Sequence, residues 1–311
     1  VVLENALRRV LAYSLNSQLG YMVIGVGIGS ELALNGTAAH VFVHIMYKSL
    51  LFMCMGAVLF RTGTVKVTEL GGLYKSMPVT TIFCLIGAVS IAAFPLTGGF
   101  VSKAMIQSAA LNGGLFVLWP VMLFACAGIM DHSGLKVPFF TFFSKDRGIR
   151  VQEAPANMLI AMGIAAFFCI GIGVFPGLLF ELLPYAPTYN PYSFGHIVSA
   201  LQLLLFAILA FMLLIRFKVY PSELRSTNLD FDWFYRVPLK RLILAIGRLI
   251  LIVWNWSLGI ANDVLRYFIG LVSETHSSGK VMARTTASST AVVIIVALLG
   301  VLLVFLYQFP Q

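Results

Sequence analysis

The run TASSTAVVIIVALLGVLLVFLY, residues 286–307, contains no charged side chain. A helix of about 20 apolar residues crosses the ~30 Å hydrocarbon core of a bilayer. Six more runs of comparable character lie upstream, at 11–33, 37–60, 79–111, 115–131, 156–180 and 196–216. In lipid, every backbone N–H and C=O must be satisfied internally, and a single run of this length achieves that as a helix. Composition agrees: 11% of the 311 residues are charged and the mean hydropathy is +0.93. A soluble domain needs roughly 25% charged residues. The expected fold class is therefore all-α, a polytopic transmembrane helix bundle.

The basic residues sort by loop. Fifteen of the 21 Lys and Arg fall in alternate connections, including Arg61, Lys66, Lys75, Lys136, Lys145, Arg147 and Arg150. The intervening connections near 34–36, 112–114 and 181–195 hold none. One face of the membrane thus carries the positive charge, and the positive-inside rule makes that face cytoplasmic. The expected location is the cell inner (plasma) membrane, multi-pass. The net charge of +9 reports topology, and nucleic acid is not an expected partner. Cys54, Cys84, Cys126 and Cys169 stand singly in apolar runs, so no metal site and no disulfide framework is expected. The opening VVLENALRRVLAYS reads as the middle of a longer protein, and no signal peptide precedes it.

Two lysines, Lys48 and Lys103, fall inside predicted spans. In HVFVHIMYKSLLFM, His40, His44 and Lys48 recur every fourth residue. On a helix they drift about 40° per step along one face. Imidazole donates at one nitrogen and accepts at the other, and desolvation brings a lysine's proton within reach of exchange. A lysine near mid-membrane costs about 2.5–3.5 kcal/mol even on a lenient scale. The face therefore reads as a proton relay; a bland role as interfacial or snorkelling side chains is the alternative.

Lys103 follows a helix break. In AAFPLTGGFVSKAMIQSAA, Pro95, Gly98 and Gly99 interrupt an apolar stretch longer than one span requires. Broken helices are tolerated at membrane depth where the loosened backbone lines protein or a wet cavity, and transporters build ion sites there. Asp131 and His132 fall at the expected cytoplasmic exit of the 115–131 span, either as a proton mouth or as a solvated helix end. No paired-carboxylate, nucleophile-elbow or P-loop pattern is present.

Residues 238–272 are apolar except for a stripe of Arg241, Arg248, Asn255 and Asn262, seven residues apart. The pattern suits a lateral amphipathic helix along the membrane surface. The competing reading makes 242–261 a further span. The expected organisation is a helix repeat over 1–155, two spans over 156–220, a loop and lateral helix over 221–285, and a closing span over 286–311.

RRVLAYSLNSQLGYM (8–22), HVFVHIMYKSLLFM (40–53), GGLYKSMP (71–78) and FPLTGGFVSKAMI (94–106) together resemble the antiporter-like subunits of Mrp-type Na+/H+ antiporters, membrane-bound hydrogenases and respiratory complex I. The segment NLDFDWFYR (228–236) is more similar to the Mrp D-type branch. The resemblance implies two inverted five-helix repeats, of which this chain holds most of the second, as a C-terminal portion. It implies that His40, His44 and Lys48 lie in a central hydrophilic axis and that Lys103 is the broken-helix lysine gating one side. The expected function is a proton-conducting subunit of a multisubunit monovalent cation/proton antiporter, without cofactors and without enzymatic chemistry of its own. Its partners would be the other complex subunits, the lipid bilayer, H+ and, in some members, Na+. The alternatives are a proton-pumping subunit of a complex I-like or hydrogenase assembly, and a non-conducting membrane scaffold.

Overall fold

In a computed structural model of the chain, residues 4–186, 189–220, 231–277 and 288–308 are described, and their long elements are all helices. Arg225 of the expected loop charges, and Lys280 and Arg284 ahead of the final span, lie outside the described residues. The chain divides into two units, 1–228 and 229–311. In the first, α1 (Leu7–Ile28), α2 (Glu31–Thr62), α3 (Pro78–Ile91) and α4 (Gly98–Asn112) are followed by α5 (Leu118–Phe143), α6 (Ala156–Val174) and α7 (Phe194–Arg216). The second holds α8 (Lys240–His276) and α9 (Ser288–Gln308).

Five helices among the described residues are long and apolar enough to cross a membrane, the fifth being Asp232–His276 around α8. The first unit holds a set of polar side chains within its largely apolar interior and exposes apolar ones on its outside. Ser14, Gln18, His40, His44, Lys48, Ser102, Lys103 and Lys136 are buried, whereas Val23, Phe124, Phe167 and Phe206 are exposed. A chain whose solvent is hydrocarbon gains nothing by hiding apolar side chains, so its interior is free to hold the polar ones.

The first two boundaries differ from expectation because the apolar run continues through the turn. Gly29 closes α1 in the left-handed region at φ 70°, and the Ser30 hydroxyl accepts from the Ala33 N–H to cap α2. At 32 residues, α2 is about 48 Å long and overshoots the hydrocarbon at both ends. It is the central helix of the unit, packed against α1, α3, α4 and α6.

The expected break is present between α3 and α4, each only about 21–23 Å long at 14 and 15 residues. Ala93 at φ 62° and Leu96 at φ 70° turn the chain around Pro95. A helix continuing past Ile91 would bond its carbonyl to the N–H of residue 95, which proline lacks. Gly99 lets the second half-helix return against the first: a Cβ there would sit 1.9 Å from the Ser90 carbonyl oxygen.

A second difference concerns α5. The expected span ended at 131, with Gly134, Pro138 and Lys136 assigned to a basic loop. Instead the helix runs to Phe143 through two π segments, Met130–Leu135 and Phe139–Phe143. Pro138 has no N–H to offer residue 134, and the widened register absorbs the defect: the Lys136 N–H reaches Asp131 O, five residues back. Asp131 and His132 are therefore mid-helix, and Lys136 is fully buried, its ammonium donating to Glu4 O at 3.1 Å. Lys136 is corrected from loop cation to interior lysine. The 156–180 run likewise divides, α6 ending at Val174 before Phe175–Pro176 and a short turn at Gly177–Phe180.

Polar contacts join connections of like charge pattern. On the basic face, Glu153 accepts from the Val79 and Thr80 N–H groups at 2.8 and 3.3 Å, and its carbonyl accepts from Arg61 Nε at 2.9 Å. Asp146 pairs with Arg150 and Lys75 at 2.8 and 2.9 Å. On the other face, Asn35 exchanges two bonds with the Tyr185 backbone, at 2.8 and 3.0 Å.

In the second unit, α8 is one 37-residue helix, about 55 Å long. Seven residues advance a helix by about −20°, so Arg241, Arg248, Asn255 and Asn262 do form one slowly drifting stripe. The closing helix α9, with 21 residues, is about 31 Å long and matches the expected final span.

Two outcomes follow. Gly99→Ala should lower the thermal unfolding midpoint of the full-length protein in detergent, by the ~1–3 kcal/mol of a forced contact, while Gly56→Ala, with open space around its Cβ position, should not. The Arg150 hydrogen bonds, then those of Lys75 and the Gly148 N–H, hold the Asp146 carboxyl well below the usual carboxylate range. With the folded value depressed, the contribution of this clasp is full above ~pH 3.9 and fades only as pH falls through the lower folded value. Amide exchange across residues 144–150, corrected for its intrinsic pH dependence, should stay protected from pH 7 down to about 4, and Asp146→Asn should remove that protection at pH 7.

A buried polar axis as candidate functional site

His44 and Lys48 straddle the middle of α2, and α1 lies beside them with its own polar stripe. Ser14, Gln18 and Tyr21 are buried at positions i, i+4 and i+7 of one α1 face. The Lys48 ammonium donates to Leu11 O at 2.9 Å and to Ser14 Oγ, and the Ser14 hydroxyl is itself 2.8 Å from Leu11 O. Lys48 thus sits in a pocket made by α1 and does not snorkel.

His40 is held on both ring nitrogens. The amide oxygen Oε1 of Gln18 accepts from Tyr47 OH at 2.8 Å and faces His40 Nε2 at 3.1 Å. With Gln18 Oε1 as the acceptor, the tautomer that completes this pair is the one with hydrogen on Nε2. In the neutral ring, Nδ1 then accepts from the Ser102 hydroxyl, 2.9 Å away. That hydroxyl has a second acceptor in Gly99 O at 3.4 Å. A proton arriving on Nδ1 therefore requires Ser102 to turn from the imidazole toward the broken-helix backbone.

His44 stacks on His40 with ring centres 6.1 Å apart and meets the Tyr47 ring edge-on at 5.4 Å. Its Nε2 is buried with no hydrogen-bond partner among the described residues. Direct hydrogen bonds therefore do not join His40 to His44 or His44 to Lys48. The four predicted relay residues share one interior axis, but they form separate hydrogen-bonded groups.

Lys103 is fully buried and reaches back across the break. Its ammonium donates to Ile91 O at 2.6 Å, the acceptor that Pro95 leaves without a helical donor. The C-terminal end of α3 also presents the negative end of a helix dipole. The Tyr21 ring lies 5.4 Å from the same ammonium and 6.0 Å from the His40 ring, so it bridges the two. The Tyr21 hydroxyl donates to Met122 O and contacts Cys126 Sγ at 2.9 Å, which ties α1 to α5.

Asp131 and His132 occupy the first π segment of α5. His132 lies within electrostatic reach of Lys48, Lys103 and Lys136, and Asp131 within reach of Lys136. The structure thus moves this pair from a helix end into the electrostatic surroundings of the axis. Of the break residues, Pro95 creates the free acceptor and Gly99 the close approach, while Gly98 seats the half-helix against Val43, 2.9 Å from its Cβ position. Reasoning from the sequence missed Ser14, Gln18, Tyr21, Tyr47, Ser102 and Lys136. The helical spacing of the α1 polar residues was the available signal; Ser102 and Tyr47 needed the neighbouring helix to be known.

Residues 2–130 match the family model described as NADH:quinone oxidoreductase/Mrp antiporter, TM, a range that includes all four predicted relay residues. The L-type F(420)H(2) dehydrogenase subunit of Methanosarcina mazei is 36% identical over 185 residues, 55% of this chain and 28% of that protein. The A-type Na(+)/H(+) antiporter subunit of Alkalihalophilus pseudofirmus is 32% identical over 205 residues, 57% of this chain and 26% of that protein. The chain therefore spans less than a third of the length of these relatives. In a solved Mrp complex from Dietzia sp., one chain superposes with a TM-score of 0.64 at 20% identity, over 97% of this chain and 32% of its own length, a likeness of fold.

Gln18 holds two donors in place. Gln18→Leu leaves His40 Nε2 and Tyr47 OH buried without that acceptor, at about 1–3 kcal/mol each. The unfolding midpoint in detergent should fall accordingly, and Tyr47→Phe in the same background should recover part of the loss.

Proposed function

We propose that this antiporter-like membrane subunit of the Mrp and complex I type conducts protons along its buried axis, as part of a multisubunit monovalent cation/proton antiporter in the cell inner membrane. The observation that carries the proposal is Lys103, a desolvated ammonium whose strongest partner is a carbonyl exposed by a helix break. Such a bond is charge-assisted when the ammonium donates and weaker when the neutral amine does. Loading and unloading Lys103 therefore changes how firmly the two half-helices are held together.

A proton would reach the axis from the basic face past Asp131 and His132 and load Lys48, whose pocket supplies two acceptors. It would pass to His44 and His40 through bridging water, because the ring spacing is too long for a direct bond. At His40 the rotation of Ser102 opens Nδ1, and the next acceptor is the Lys103 amine beside Tyr21. Each step needs a bond to be broken before the next forms. The coupled cation and the neighbouring subunits belong to the rest of the complex, with α8 lying along the membrane surface against them.

A second reading keeps the path and changes the drive. The 36% identity to an F(420)H(2) dehydrogenase subunit fits a redox-coupled pump of the hydrogenase or quinone-reducing kind. Iron–sulfur or flavin absorbance in the purified native assembly would select that reading, and its absence the antiporter. A non-conducting scaffold differs from both in needing no charge on Lys48 or Lys103.

Lys103→Ala in the full-length subunit, reconstituted with its partners in vesicles, should abolish proton flux driven by a pH gradient. Flux at the wild-type rate in a correctly assembled complex removes Lys103 from the path and leaves the scaffold.

A further inference from the structure

The axis as described ends at Lys103, and nothing so far carries a proton from there to the face that bears no basic residues. A small cavity of ≈ 20 Å³ adjoins the lysine, walled by the broken-helix residues Ala92 and Ala93, by Gln107 and Cys126, and by His196 on α7. By the same measure about 10–15 Å³ suffices to hold one water molecule. Lys103 and His196 thus line one small cavity with room for a bridging water.

His196 is the third residue of α7 and half-buried, just inside the 181–195 connection. Its ring meets Phe100 edge-on at 5.4 Å, and Phe100 stacks on Tyr192 at 5.4 Å on its other contact. Phe100 stands one turn before Lys103 on α4, so the aromatic group covers the same half-helix. The connection is pinned over this end of the bundle: Tyr189 OH contacts Ser108 Oγ at 2.9 Å, and Tyr192 OH donates to Gly173 O. His196 is the titratable wall residue of the cavity that adjoins this connection.

We propose that His196 is the exit-side proton acceptor of the axis, taking the proton of Lys103 through the cavity water and releasing it at the face without basic residues. The inference rests on the proton-conducting reading above. In the step, the ammonium gives its proton to the water and becomes an amine. The water passes a proton to the free imidazole nitrogen of His196, and the imidazolium then yields its Nε2 or Nδ1 proton to solvent. No electron moves and no other reactant is consumed. The charged groups sharing or facing this cavity are Lys103 and His196, with the Cys126 thiol as the remaining titratable wall. An acceptor that is itself an imidazole can hand its proton on near neutral pH.

The test uses the full-length subunit in its assembled complex, in vesicles of known orientation, with flux read by a pH-sensitive dye. His196→Gln should lower gradient-driven proton flux at least about tenfold, less than the ~10²–10⁴ of a lost acid–base group in a dry site because water can partly substitute. Imidazole added on the face without basic residues should restore flux, and imidazole on the basic face should not. His196→Ala should behave in the same way, with better rescue because it leaves more room. Wild-type flux in both variants, alongside an inactive Lys103→Ala complex, overturns the exit role and leaves the proton path standing. Lowered flux without rescue from either side overturns it too, since it makes His196 a packing partner of Phe100. Retained flux in Lys103→Ala overturns both proposals together.

Discussion

The bond from the Lys103 ammonium to the Ile91 carbonyl is the interaction around which the rest of the first unit is arranged. A carbonyl deprived of its donor in hydrocarbon costs several kcal/mol, and a lysine without a partner there costs more. Each defect answers the other. The arrangement explains why proline, two close glycines and a lysine occur within nine residues. Pro95 removes the donor, Gly99 brings the two half-helices within backbone contact, and Lys103 spans the gap. A straight helix over 79–111 would leave the Ile91 carbonyl without its donor and the lysine stranded.

Much of this was legible in the sequence, because the membrane imposes simple rules on length and polarity. The break at Pro95, the shared face of His40, His44 and Lys48, and the long α8 all follow from periodicity and from where charges fall. The misplaced features have one physical origin. The 115–131 span was ended at Asp131 and His132, where charge begins; a π register carries the helix on past them to Phe143, across Pro138, which lacks an N–H. Lys136 was consequently assigned to water. Gln18, Tyr21 and Ser102 were passed over for a different reason. Neutral polar residues are common in membrane helices, and only the neighbouring helix reveals which of them hold a histidine.

The polar residues of the interior are not equivalent. Gln18 meets His40 Nε2 and is itself held by the Tyr47 hydroxyl. Ser102 has two acceptors on opposite sides, one on the imidazole and one on the break. The state of His40 is thereby linked to the backbone of α4 through one hydroxyl rotation. Gly36 allows this closeness, for a Cβ there would lie 2.8 Å from Ile106 and 3.0 Å from its backbone nitrogen. Small residues at helix contacts serve here to bring a hydroxyl to a ring, beyond tightening the bundle.

The interruptions in the hydrogen-bond chain are consistent with a conductor that must not leak. An unbroken file would let protons run down any gradient, whatever the partner subunits did. In this interior Lys48 lies within electrostatic reach of Lys103, and His132 within reach of both. Two unit charges about 10 Å apart at an effective dielectric constant of about 20 repel by about 1.7 kcal/mol, more than a tenfold bias in occupancy. A proton settling on one ammonium site thus discourages the other from filling. On the proposed path this repulsion would favour one mobile proton at a time. Passage would then depend on emptying the far site, at the end of that path nearest the break.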